Sequence, residues 1–310
     1  MSESRAALTT RAALASVAMA LFLLGLKAYA ALETGSVAML GSLADTALDL
    51  LASLVTLFGV RVAAIPADRD HRFGHGKAEA LAALAQVVII SVSAIGIGWR
   101  AVDRMLHGAQ TAHAEYGIAV SIAAIAATLA LVAYQRSVVR RTGSVAIRTD
   151  AVHYQSDLLL NLSVIAALVL DQYLGLAGAD ALFGLAIALW LIWGALRASS
   201  HALDQLMDRE WPEEKRMHFL AVASSRPEAR GIHDLRTRSS GNRDFAQFHI
   251  WIDPEMSVAD AHEVVEAIEG DLEREFPGCE VLIHLDPEGQ VDHPDDPLRE
   301  VDETKEPIPE

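Results

Sequence analysis

The chain has a single cysteine, Cys279, in 310 residues. That excludes an intrachain disulfide and any zinc site built from several thiolates, so a metal site here must be made of histidine and carboxylate. Basic residues are scarce in the C-terminal third. Residues 203–310 hold 11 Lys and Arg against 28 Asp and Glu, a net of −17, whereas residues 1–202 hold 14 against 13, a net of +1. Phosphate backbones are bound by clustered Lys and Arg, so this balance excludes nucleic acid as a partner, while an acidic domain is compatible with attracting cations. No internal repeat stands out, and no nucleophile motif accompanies the ionisable residues described below.

What the sequence does have is apolar length: 52% of its residues are hydrophobic. Six segments, near 12–32, 37–61, 78–101, 114–135, 145–170 and 179–200, can each supply the roughly 20 residues that a bilayer core requires. They are rich in Ala, Gly, Ser and Thr, which suits close helix packing within a membrane. With the N-terminus inside, the inner segments carry ten Lys and Arg and the outer ends carry three, namely Lys27, Arg100 and Arg104. That bias orients both termini toward the cytoplasm. The start of the chain, with Ala28-Tyr29-Ala30 after an apolar run, resembles a signal peptide. Its n-region is weakly basic, however, and Lys27 sits beside the supposed cleavage site, so a retained first helix is expected.

From residue 209 the pattern becomes that of a small soluble fold. Residues 212–225 read as a helix opened by Pro212. Residues 232–240 and 244–252 read as strands joined at Gly241-Asn242. Residues 257–275 read as an amphipathic helix with Ser257 as N-cap, and 279–285 as a last strand, giving the order α-β-β-α-β. Beyond Gly289 the chain is rich in Pro, Asp and Glu and reads as disordered. Three parts are expected: a transmembrane domain at 1–208, a cytoplasmic domain at 209–289, and an acidic tail at 290–310.

Three groups of residues carry metal-binding chemistry. Asp45 and Asp49 lie in the second apolar segment, His153 and Asp157 in the fifth. Each pair is spaced i, i+4 and projects from one helix face. Ionisable groups at membrane depth are costly and usually mark an ion or proton pathway. Polar glue between helices is the plainer account, and two such pairs of ligand-type residues in separate spans weaken it. Three clustered carboxylates repel one another, and a bound divalent cation or bound protons relieve that repulsion. Because metal must displace protons from its ligands, a site filled alternately by protons and metal is the physical basis of an antiporter. The second group is Asp68 or Asp70 with His71 and His75, in a loop where Gly74 and Gly76 permit a tight backbone. The third is His233, His249, His262, His284 and Asp286, with His284 and Asp286 on one strand face.

The stretches SVAMLGSLADTALDLLASL, PADRDHRFGHGKAEALAALAQ, TDAVHYQSDLLLN, HDLRTRSSGNRDFAQFHI and IHLDP resemble the cation diffusion facilitator family, in its bacterial zinc and ferrous-iron efflux branch. The resemblance covers nearly all of residues 10–288. It implies an α-helical membrane protein: a six-helix transmembrane bundle with a small cytoplasmic α+β domain like a metallochaperone, assembled as a homodimer. It implies a transport site on Asp45, Asp49, His153 and Asp157. It also implies a loop site on Asp68, His71 and His75, and a binuclear cytoplasmic site on His233, His249, His262, His284 and Asp286. A charge interlock of Lys77 with Asp208 is implied as well. Leu285 departs from the pattern, standing where similar sequences carry a polar Gln, on the strand face opposite the ligands.

The expected function is proton-coupled export of Zn²⁺ across the bacterial inner membrane, by a secondary transporter rather than an enzyme. Its partners are protons as counter-ion, the lipid bilayer and a second copy of the chain. Three carboxylates and one imidazole form a hard site, so Cd²⁺, Fe²⁺, Mn²⁺ and Co²⁺ are alternatives. The competing account is a membrane-embedded metal sensor or scaffold that binds without transport. A hydrolase using zinc-bound water is disfavoured, because four ligands leave no open position in a tetrahedral site.

Overall fold

Long apolar runs poor in proline leave helix as the only way to satisfy the backbone within a bilayer. The computed structural model describes residues 5–34, 37–107, 115–174, 179–241 and 243–289. Six long helices come first: α1 (Arg5–Thr34), α2 (Val37–Ala63), α3 (Ala78–His107), α4 (Glu115–Thr142), α5 (Val145–Leu174) and α6 (Ala179–Leu206). They overrun the expected spans because the helices continue past the apolar core. Among the described residues, α1, α2, α3 and α6 contain segments long and apolar enough to cross a membrane. Helices α4 and α5 are of similar length and carry more of the polar load, including Gln135 and Arg136 in the former and Asp150, His153 and Asp157 in the latter.

The chain divides into two compact units, Met1–Leu203 and Asp204–Glu310. In the first, small residues such as Ala12, Ala13 and Ala146 bring α1, α2, α4 and α5 together with Leu57, Val60, Val138 and Ile147. Helices α3 and α6 pack through Ile90, Ala94, Ile187, Leu191 and Ala195. The outward faces carry exposed Leu21, Phe22, Phe58, Val92, Ile95, Trp99, Leu189 and Leu196. A water-soluble surface rarely presents so much contiguous apolar area; a lipid-facing one does.

The second unit follows the expected order: α7 (Glu213–Ala223), β1 (Arg230–Ser240), β2 (Arg243–Ile252), α8 (Val258–Glu275) and β3 (Cys279–Pro287). Ser257 caps α8 by accepting the Asp260 N–H at 3.2 Å. Asn242 of the expected turn lies outside the described residues, as does the 290–310 tail. Strands β1 and β2 pair antiparallel, and β2 and β3 parallel. Along β2, Phe248 and Ile250 face a core with Phe219, Leu220, Ile268 and Leu272, so α7 and α8 cover one sheet face. His249 and Trp251, on the alternate phase, take the other.

Candidate metal centre

Helices α2 and α5 carry the candidate intramembrane site. His153 Nε2 lies 3.1 Å from Asp49 Oδ1 and 4.0 Å from Asp157 Oδ2. One ligand atom from each of the three residues falls within 4.8 Å of the others. His153 is 4% exposed, and its buried Nε2 is flanked by the two carboxylates. An imidazole nitrogen set between carboxylates is an arrangement that a shared divalent cation fits. Asp45 stands one turn before Asp49 in α2, and its side chain lies outside the described residues.

Sequence reasoning passed over Asp150, which is fully buried. Its spacing from His153 and Asp157, i+3 and i+7 on one helix face, was the available signal. Its Oδ2 accepts from Ser16 Oγ at 2.5 Å and Gln135 Nε2 at 2.8 Å, and its Oδ1 from Gln86 Nε2 at 3.0 Å and Thr56 Oγ1 at 3.5 Å. Its neighbour Tyr154 donates to the Ser16 carbonyl at 2.8 Å and meets Ser53 Oγ at 2.9 Å.

The loop between α2 and α3 brings Asp68, His71 and His75 together. Asp68 Oδ1 accepts the backbone N–H groups of His71 at 2.7 Å and Asp70 at 3.0 Å. The His71 N–H is the main cause that holds the Asp68 carboxyl below the usual carboxylate range. Its two oxygens lie 3.3 Å from His71 Nδ1 and 3.5 Å from His75 Nε2. Asp70 contributes a backbone donor to this turn. The loop closes through Gly74 at φ +80°, a left-handed conformation that favours glycine.

In the second unit, strand register puts three histidines at one level: His233 opposite His249, and His249 beside His284. Adjacent ring centroids are 5.2 Å and 4.6 Å apart. Asp286 Oδ2 lies 2.8 Å from His249 Nδ1 and 3.3 Å from His233 Nε2, while Oδ1 faces His284 Nε2 at 3.3 Å. A carboxylate whose two oxygens face different imidazoles is suited to bridging two cations. Irregular pairing around His233, with Asp234 at φ 49°, turns this part of β1. Gly231, at φ +57°, lies under the Trp251 ring, where an added Cβ would come within 2.0 Å of a ring carbon. Leu285 packs toward the hydrophobic core, away from the ligands. His262 on α8 is exposed and pairs with Glu266 at 3.3 Å; within one chain it is not brought to the cluster. Asp208 lies 3.3 Å from Arg238 in this unit. Burial and the neighbouring Asp244 push the Cys279 thiol up to about 11, so it offers no thiolate at neutral pH.

Residues 13–207 match the model of the cation efflux transmembrane domain, and residues 211–288 that of the cation efflux protein cytoplasmic domain. The chain belongs to the cation efflux family. Similar cation efflux proteins include the cation-efflux pump FieF of Klebsiella pneumoniae, 42% identical over 94% of this chain and 97% of its own. FieF of Pectobacterium atrosepticum is 44% identical over 94% and 97% respectively. Among solved structures, the metal-bound C-terminal domain of the CzcD transporter from Thermotoga maritima is 30% identical. It covers 26% of this chain and 99% of its own, with a TM-score of 0.25. A cation efflux protein has divalent metal as cargo, which accords with histidine–carboxylate ligand sets in a chain with one cysteine.

Proposed function

We propose that this cation efflux protein is a homodimeric M²⁺/H⁺ antiporter that exports Zn²⁺ from the cytoplasm across the bacterial inner membrane. The observation that carries the reading is the convergence of Asp49, His153 and Asp157 inside a bundle whose outer surface is apolar. Asp45, one turn from Asp49, completes a four-ligand transport site. Cytoplasmic Zn²⁺ enters as protons leave the ligands. After the bundle opens outward, protons return to the ligands and release the metal. Imidazole suits this exchange because it changes charge near neutral pH.

Asp68, His71 and His75 form a loop metal site at the cytoplasmic entrance. His233, His249, His284 and Asp286 form a binuclear site in the cytoplasmic domain, whose extent we take as 209–289, with 1–208 as the transmembrane domain. His262 does not reach this cluster within its own chain, so its membership requires a second copy. Both termini are cytoplasmic. The family gives efflux of divalent cations; the ligand set accommodates Cd²⁺, Fe²⁺, Mn²⁺ and Co²⁺ beside Zn²⁺.

Reconstituted protein tests the reading. An imposed pH gradient should drive Zn²⁺ accumulation in proteoliposomes, and Asp157→Ala should abolish it. Zn²⁺ binding with no gradient-driven flux would identify a membrane-embedded sensor or scaffold instead. Competition by the other cations for that flux would rank them as cargo.

A further inference from the structure

Within the bundle, four helices converge on one buried carboxylate that the transport site does not include. Ser16 of α1, Thr56 of α2, Gln86 of α3 and Gln135 of α4 all direct donors at Asp150 of α5. Gln86 also donates to Thr56 Oγ1, and Gln135 to Ser16 Oγ at 3.0 Å, so the donors form one connected network. A carboxylate offers about four acceptor positions; Ser16 and Gln135 approach Oδ2, and Gln86 and Thr56 approach Oδ1, the Thr56 hydroxyl being shared with the Ala52 carbonyl at 3.2 Å. Asp150 stands outside the group formed by Asp49, His153 and Asp157. The amide oxygens of Gln86 and Gln135 are buried without hydrogen-bond partners, so both side chains are oriented with their NH₂ groups committed to Asp150.

We infer that Asp150 is a positioning residue for the transport site. It fixes the axial and angular setting of α5 against the four other helices, so that His153, one turn on, meets Asp49 across the α2–α5 interface. The next turn is pinned to the same residue of α1: Tyr154 donates to the Ser16 carbonyl, and its ring lies edge-on to His153 at 5.6 Å. Fixing one residue of α1 thus holds α5 on both sides of the ligand. The inference rests on the transport reading above, and adds a residue that acts on the metal only through the placement of its ligand. Loss of a residue that orients a metal ligand typically weakens binding by about 10–100-fold.

The test is Zn²⁺ uptake into proteoliposomes under a fixed pH gradient, with KM and maximal rate determined for the full-length protein and its variants. Asp150→Ala should raise KM by about 10–100-fold. Asp150→Asn should recover most of the affinity, because a flipped Gln86 or Gln135 amide can present its oxygen to the new NH₂. Should Asp150→Ala fail to fold, Gln135→Ala and Ser16→Ala each remove one donor and should each raise KM several-fold. Unchanged KM in the folded Asp150→Ala protein, or in both donor variants, overturns the inference. An Asn variant as impaired as the Ala variant also overturns it, since that makes the negative charge, not the placement, the active property. Absence of flux in the wild-type protein would instead count against the transport reading.

Discussion

The two units of this chain invert each other. In the transmembrane unit the polar groups are inside: Ser16, Thr56, Gln86, Gln135, Asp150 and His153 are buried, while Phe22, Phe58 and Trp99 face outward. In the cytoplasmic unit Phe219, Phe248, Ile250 and Leu272 are buried, and most of the candidate ligands lie on the sheet face opposite α7 and α8. The inversion follows from the solvent. Lipid provides no hydrophobic drive between helices, so the bundle is held by close packing and interhelical hydrogen bonds. Water drives the apolar side chains of the sheet and its two helices together. In the transmembrane unit the candidate site is thus part of the core, whereas in the cytoplasmic unit it lies on the sheet face opposite the apolar core.

The comparison can be broken by mutation. The largest expected effect is at the buried site: His153→Ala should lower gradient-driven flux by more than the roughly 10–100-fold that loss of an outer-shell partner costs, while leaving the thermal transition of the cytoplasmic unit in place. Next, Phe219→Ala should destabilise the cytoplasmic unit by about 3–5 kcal/mol, read from denaturation of the reconstituted protein. Phe58→Ala, on the lipid-facing side, should change stability by about 0.5 kcal/mol or less. A large loss at Phe58 would mean that this face is packed rather than lipid-exposed. Gly231→Ala sets a side chain against Trp251 in a left-handed backbone, and should cost about 1–3 kcal/mol. It should also weaken Zn²⁺ binding at the His233 cluster, measured by calorimetry.

The smallest effect concerns the loop. The Asp68 carboxyl is held below its ordinary range by the His71 N–H. Its contribution to the turn is therefore complete above the ordinary Asp value of about 3.9, and is lost only as pH falls through the lowered folded value. The protection factors of the Asp70 and His71 amides, corrected for intrinsic exchange, should stay flat from roughly pH 8 to 5 and fall only below about pH 4. A loss of protection near neutral pH would show that the histidines, not Asp68, hold the turn.

Much of this was legible in the chain because it is local. Apolar length announced the long helices, alternation and the Ser257 cap announced the soluble elements, and i, i+4 spacing put each intramembrane ligand pair on one face. Asp150 was missed because its partners come from four other helices, as far as 134 positions away for Ser16; no local period reports that convergence. His262 shows the converse limit. Helical periodicity puts it on the surface of α8, but nothing in its spacing says which imidazoles it can reach. Asp68 and Asp70 were equivalent by spacing, and only the family resemblance favoured Asp68; the turn gives the physical difference, one being the acceptor and the other a backbone donor.

The single level shared by His233, His249 and His284 has a mechanical consequence. A one-residue slip of β3 along β2 would carry His284 toward the hydrophobic face and Leu285 to the ligand face. A cation coordinated across those strands would act as a clasp on strand alignment, resisting that slip where β3, as an edge strand, has only one neighbour to hold it. Chelation should then loosen β3 before the strands and helices behind it, so the sheet would register cytoplasmic metal as a change in its own alignment.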